Sequence, residues 1–141
     1  MIDRIGHINI RTPLLEETLR FYERLLDLKR GFSRTMPDDP GNVWLYADNG
    51  RAVIHINETS PDEEVPEVGA RGRLHHVAFD CRDHGAIVKR LHAMNQPYKR
   101  FETPVDGMFL LVTTDPNGIN VELSFGVDHV IDADMATAAA G

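Results

Sequence analysis

Residues 73–81, RLHHVAFDC, repeat the pattern of residues 4–11, RIGHINIR, and this repetition decides how the chain is read. Arg4-Ile5-Gly6-His7-Ile8-Asn9-Ile10 aligns with Arg73-Leu74-His75-His76-Val77-Ala78-Phe79. Further along, Val53-Ile54-His55-Ile56 aligns with Asn120-Val121-Glu122-Leu123 at nearly the same spacing. Two matched pairs at such similar spacings indicate an internal duplication.

Working outward, each copy shows the same order. Residues 4–11 alternate and predict a strand. LLEETLRFYERLLDL follows, with Leu15, Leu19, Tyr22 and Leu26 near a helical period and Glu16, Glu17, Arg20, Glu23 and Arg24 on a solvated face. A weak strand is expected near 28–35, then strands at 42–48 and 52–58 joined by the Asp48-Asn49-Gly50 turn. Residues 59–72 are acidic and rich in Pro and Gly, and predict an exposed linker. The order then restarts: a strand at 73–81, a helix at 84–95 with Ile87, Leu91 and Met94 inward, and strands at 98–103, 106–114 and 119–125. Asp115-Pro116-Asn117-Gly118 is a turn signal. The expected fold is α+β, two paired βαβββ modules whose curved sheets form a cleft. Module 1 spans about 1–60 and module 2 about 73–127, in one domain over 1–128. The alanine-rich residues 128–141 are expected to form a loose tail.

Side chains alternate across a strand, so parity sorts each strand into two faces. Ile8 and Ile10, Ile54 and Ile56, Val77 and Phe79, and Val121 and Leu123 form apolar faces suited to helices. The opposite faces carry His7 and Asn9, His55 and Asn57, His76 and Ala78, and Asn120, Glu122 and Ser124. Thus His7, His55, His76 and Glu122 occupy repeat-equivalent positions on the polar faces. Imidazole and carboxylate are ligands for borderline divalent metals, and two histidines with one carboxylate leave open positions suited to Fe(II) oxygen chemistry. His75 has core parity and reads as a core or edge histidine. His84 and His92 read as solvated helix residues.

Trp44 and Tyr46 share one parity. They serve either ordinary sheet packing or an aromatic wall for a planar or apolar substrate. Phe101, Met108 and Phe109 are candidates to extend that wall, Asn9 is a further substrate candidate, and Lys99 and Arg100 are candidates to meet a substrate carboxylate. Cys81 follows a strand with no histidine at motif spacing and has no expected catalytic part.

Composition sets the outer bounds. The chain has 141 residues, 42% hydrophobic and 26% charged, with a formal net charge of −7. That length supports a real core, and that charge disfavours nucleic acid and anionic lipid as partners. No apolar run reaches the ~20 residues needed to cross a bilayer. The single cysteine excludes an intrachain disulfide and fits a reducing compartment. With no secretion-signal pattern at the start, a cytoplasmic location is expected.

The motifs resemble the vicinal oxygen chelate superfamily of glyoxalases, extradiol dioxygenases, epimerases and antibiotic-resistance proteins. The resemblance covers residues 4–125. It rests on Gly6-His7-Ile8-Asn9-Ile10 with Phe21-Tyr22, on His75-His76-Val77-Ala78-Phe79, and on Asp115-Pro116-Asn117-Gly118 through Glu122-Leu123. It implies a divalent-metal enzyme with His7, His76 and Glu122 as ligands, acting on a small, aromatic-type substrate chelated through two neighbouring oxygens. The fourth position usually carries a carboxylate or glutamine in the family's glyoxalases, whereas here it is His55. That favours extradiol ring cleavage of a catechol-like compound with Fe(II), His55 resembling the acid–base histidine of such enzymes. Glyoxalase-type lyase or isomerase chemistry with Ni(II), Zn(II) or Mn(II) is the alternative, with His55 as a fourth ligand. A drug-binding resistance protein without catalysis is a third reading. The resemblance also implies a homodimer, with His7 and His55 from one chain meeting His76 and Glu122 from the other.

Overall fold

The structure is a computed structural model that describes residues 1–2, 4–70, 72–104 and 107–126. The expected tail at 128–141 lies outside the described residues.

The element order is β1 (Ile8–Thr12), α1 (Leu15–Leu26), β2 (Lys29–Gly31), β3 (Asn42–Tyr46), β4 (Ala52–Glu58), β5 (His76–Asp80), α2 (His84–Ala93), β6 (Lys99–Glu102), β7 (Phe109–Thr114) and β8 (Asn120–Phe125). The strands form two four-stranded sheets in matching orders, β1-β4-β3-β2 and β5-β8-β7-β6. In each sheet the first strand runs parallel to the last, and the middle pairs are antiparallel. This is the duplicated βαβββ, α+β fold that the repeat predicts. No helix among the described residues is long and apolar enough to cross a membrane.

The alternating pattern places the core as expected. Ile54, Ile56, Val121 and Leu123 are wholly buried, together with Leu19, Tyr22 and Leu25 of α1 and Leu91 of α2. Each such aliphatic side chain contributes about 1.5–3 kcal/mol of transfer free energy. The buried residues of both modules join one cluster, and the Tyr22 and Phe79 rings meet across the boundary at 6.4 Å.

Local chemistry sets the helix ends. The Leu14 N–H before α1 donates to Thr12 Oγ1, and Glu16 and Glu17 occupy the positive end of the helix. The helix stops at Asp27, which adopts a left-handed conformation (φ 55°). Asp83 caps α2 by accepting the Ala86 N–H. The short β2 is tied to α1 by Arg30, which reaches both Glu16 and Glu23 at 2.8–3.2 Å. Two glutamates expected on a solvated face therefore fix a strand whose own sequence is a weak strand former.

The two modules meet at a buried polar joint. Asp115, in the β7–β8 turn, accepts the Tyr22 hydroxyl at 3.1 Å and the backbone N–H groups of Asn117 and Ile119 at 2.9 Å. Asn117 donates to Thr18 Oγ1 of α1 at 3.0 Å. The end of the linker docks on the same turn, where Gly69 N–H donates to Asn117 O. Gly118 has a φ of +78°, and a Cβ there would lie 2.5 Å from the Gly69 backbone, so both conformation and space require glycine.

Candidate metal centre

The register confirms which side chains share a face. In module 1, Asn9 and Trp44 are the cross-strand partners of His55, and Asn42 is the partner of Asn57. In module 2, His76 pairs with Asn120 and Ala78 with Glu122. Both polar faces lie opposite the helices.

His7 precedes β1 rather than standing within it, because the β1–β4 ladder starts at Ile8. The His7 ring lies 4.6 Å from Trp44 and 6.0 Å from His55. The Trp44 and His55 rings stack at 4.2 Å with an interplanar angle of 9°. Trp44 is buried and its indole N–H has no acceptor among the described residues, while the Arg34 guanidinium lies 5.9 Å from its ring.

His55 is held by Asn42. The Asn42 amide is oriented by its own donations, to Ser33 Oγ at 2.6 Å, to Thr35 Oγ1 at 3.1 Å and to the Met36 carbonyl at 3.3 Å. Its Oδ1 therefore faces the histidine and accepts from His55 Nε2–H and from Asn57 Nδ2. Asn9 in turn donates to Asn57 Oδ1 at 2.7 Å and to the His55 carbonyl at 3.1 Å. This chain of amides leaves Nδ1 as the ring nitrogen carrying the lone pair. Burial, followed by the nearby His7, lowers the His55 pKa below that of an ordinary histidine.

In module 2, His76 Nε2 lies 3.8 Å from Glu122 Oε2. The other carboxylate oxygen, Oε1, accepts the Ser124 hydroxyl at 3.3 Å. Two donors on one cation at about 2.1 Å stand about 3 Å apart at right angles and about 4 Å apart in opposition. The His76–Glu122 spacing lies inside that range, and both side chains reach solvent (44% and 21% exposed). The donor set thus fits a divalent metal. Within one chain, however, the two pairs stay separate: no three His, Cys, Asp or Glu side chains gather around a common point among the described residues.

The remaining sequence candidates divide. Trp44 belongs to the His55 face. The Tyr46 ring covers Gly31, and its hydroxyl donates to the Phe32 carbonyl at 2.7 Å. Asn9 is occupied in positioning Asn57. Phe101 pairs with Leu110, shares the Glu122 face and is 48% exposed. Phe109 is a correction: it pairs with Phe125 on the helix side, stacked at 5.0 Å with the His84 ring edge-on at 4.9 Å. Phe109 therefore does not line the Glu122 face, and His84 is packed rather than free. Arg100 lies on the helix side too, 3.9 Å from the Phe109 ring, whereas Lys99 shares the Glu122 face. Of the core and edge readings of His75, the structure excludes the core: the residue is exposed, one position before β5. Asn42 was missed in the sequence, although its parity with Trp44 places it on the same face.

A family model described as Glyoxalase/Bleomycin resistance protein/Dioxygenase superfamily matches residues 4–123. A protein named Glyoxylase I 4 from Arabidopsis thaliana is 25% identical over 126 residues, covering 84% of this chain and 68% of that protein. Among solved structures, a glyoxalase/dioxygenase from Nostoc punctiforme is similar with a TM-score of 0.68 at 16% identity, covering 86% of this chain and 89% of that one. The fosfomycin resistance protein FosX from Listeria monocytogenes gives 0.66 at 17% identity, covering 90% and 96%. At such identities the structural likeness establishes the fold alone. With the family model matching most of its length, the chain belongs to the Glyoxalase/Bleomycin resistance protein/Dioxygenase superfamily.

Proposed function

We propose that this protein is a metal-dependent enzyme acting on a small substrate chelated through two neighbouring oxygens, with His7, His76 and Glu122 as metal ligands. The observation that carries the reading is the His76–Glu122 pair at 3.8 Å, matched in the other module by the His7–His55 pair at repeat-equivalent positions.

The two pairs come together in a homodimer, one from each chain. Ile5 and Leu74 support this. They precede His7 and His76 by two residues, and both are almost fully exposed (79% and 80%). Paired apolar side chains at the rims of two half-sites suit a covered surface. The unmet Trp44 N–H also suits a site that one chain leaves incomplete.

The bound metal, Fe(II) in the favoured reading, supplies Lewis-acid polarisation of the substrate oxygens. The protein's own residues then handle the proton. Asn42 fixes the His55 tautomer, the lowered pKa keeps the ring neutral near pH 7, and Nδ1 accepts a substrate hydroxyl proton. The stacked Trp44 ring holds the imidazole plane, and the exposed Phe101 offers apolar surface to a planar substrate. An acid–base His55 favours extradiol cleavage of a catechol-like compound, in which both atoms of dioxygen enter the ring-opened product. The relative named Glyoxylase I 4 favours a second reading, a lyase or isomerase using Ni(II), Zn(II) or Mn(II).

Anaerobic loading with Fe(II), followed by oxygen and a catechol panel, tests the first reading. Oxygen uptake with a yellow ring-fission product is expected. Turnover of a hemithioacetal with Ni(II) or Zn(II) alone would transfer the assignment to the second. Ligand binding unchanged in a metal-free His7→Ala/Glu122→Ala variant would leave only a binding protein. The acidic chain, with no membrane-crossing helix among its described residues, fits a cytoplasmic small-molecule enzyme.

A further inference from the structure

His76 has a second ring nitrogen, and the structure gives it a partner. Its Nδ1 lies 3.0 Å from His75 Nδ1, with the two rings perpendicular at 5.3 Å between centroids. Strand alternation would send adjacent side chains to opposite faces. His75 escapes it because it stands one residue before β5 begins. Its backbone is held by the Asn120 side chain, which donates to the His75 carbonyl at 3.1 Å. Asn120 is the cross-strand partner of His76, so the anchor comes from the face that carries Glu122.

Two neutral imidazole nitrogens in contact require one N–H and one lone pair. If His76 Nδ1 carries the hydrogen, its Nε2 keeps a lone pair, and Nε2 is the atom that faces Glu122. The opposite assignment puts a hydrogen on His76 Nε2, directed at a carboxylate 3.8 Å away, too far for a hydrogen bond. A cation held between Nε2 and Glu122 needs that lone pair, so ligation by His76 requires the first. A ligating histidine generally donates its other N–H to an acceptor that fixes ring and tautomer. Here the acceptor is the preceding imidazole.

We propose that His75 is a positioning residue that accepts the His76 Nδ1 proton, fixing the His76 ring with its Nε2 lone pair directed at the metal position. The proposal rests on the reading of His76 as a metal ligand. It gives the consecutive histidines separate tasks, one to hold the cation and one to hold the holder. His75 reaches the cation only through its neighbour.

The test uses the full-length protein, with Mn(II) as the probe. In calorimetric titrations, His75→Ala is expected to weaken Mn(II) binding about 10–100-fold. His75→Asn, whose Oδ1 stands near the position of the imidazole Nδ1, is expected to recover most of that loss. A second readout needs no metal. In two-bond 1H–15N spectra of the metal-free protein, recorded above the pH range of histidine protonation, His76 should carry its hydrogen on Nδ1. In His75→Ala the hydrogen should move largely to Nε2. Because His75 is exposed, the alanine variant is expected to fold, and its amide spectrum checks that. Binding by His75→Ala within twofold of wild type overturns the proposal, as does a wild-type His76 protonated on Nε2. If wild type itself takes up no stoichiometric Mn(II) and His76→Ala behaves identically, the metal reading fails and takes this proposal with it. That result is distinct from intact uptake insensitive to His75.

Discussion

The Tyr22 hydroxyl, on the buried face of α1, donates to Asp115 Oδ2 across the boundary between the two modules. Burial first, and then the adjacent Asp115 carboxylate, push the phenol pKa well above its usual value, so it stays a neutral donor at any working pH. Tyr22→Phe is expected to cost about 1.5–3 kcal/mol, the range for a hydrogen bond to a charged group. Asp115→Ala should cost more, because it also frees the Asn117 and Ile119 N–H groups and the Tyr22 hydroxyl. Urea unfolding at neutral pH measures both. Equal, near-zero losses would show that the joint contributes nothing.

Burial of His55 predicts the pH behaviour of module 1. The folded pKa of His55 lies below that of an ordinary histidine, about 6.5, so the native state prefers the neutral ring. Its contribution to stability is complete above about pH 6.5 and falls as pH drops through the folded pKa. His7→Ala should raise the His55 pKa toward its ordinary value by removing the neighbouring imidazole. Asn42→Leu should release the ring from its fixed tautomer and cost about 1–3 kcal/mol through unmet donors on His55 and Asn57. Histidine C–H titration by NMR reads the first effect, and thermal unfolding between pH 5 and 8 the second. A His55 pKa unchanged by His7→Ala would refute the electrostatic coupling.

Cys81 should be inert. Burial, and then Asp80, push its thiol up to about 11. The thiolate is the reactive form, so iodoacetamide should modify the native protein at pH 8 far more slowly than the urea-unfolded chain. The sign for stability is opposite to that of His55. The unfolded thiol ionises first as pH rises from 9 to about 11, so this group's contribution is lost over that window. Equal alkylation rates in native and unfolded protein would contradict the burial.

Gly31→Ala should disturb the aromatic face from a distance. A Cβ at this position would lie 2.6 Å from the Tyr46 ring, so the ring must shift. The shift breaks the bond from the Tyr46 hydroxyl to Phe32 O. A loss of about 1–3 kcal/mol is expected from overpacking. Near-ultraviolet circular dichroism together with unfolding measures it, and an unchanged aromatic signal would count against the contact.

The polar faces were legible in the sequence because branched or aromatic apolar residues recur at every second position of β1, β4, β5 and β8, and parity put His55 and Glu122 opposite Ile54, Ile56, Val121 and Leu123. Phe109 was not, because FLLVTT in β7 lacks alternation and its face is decided by register against β8. His84 misled for a related reason, since the Phe109–Phe125 stack reaches the first turn of α2. The Asn42 amide was hidden because its task depends on the side chains at 33 and 35 and the backbone carbonyl of 36, a segment without periodicity. His75 was assigned by a parity that holds only within the strand, and it stands one residue outside.

The Tyr22–Asp115 joint also records how two equal copies became unequal. Asp48 holds the corresponding turn position in module 1, yet it is 71% exposed and meets Arg82, itself 85% exposed. Counted from the helix start, Leu91 takes the place of Tyr22 on α2 and has no hydroxyl to offer. The β7–β8 turn is thus tied to the other copy by a buried joint, while the β3–β4 turn meets it through an exposed ion pair. Insertions or a graft should be accepted at residues 48–50 and rejected at 115–118, so that the ancestral repeat is no longer interchangeable and further divergence has one open end.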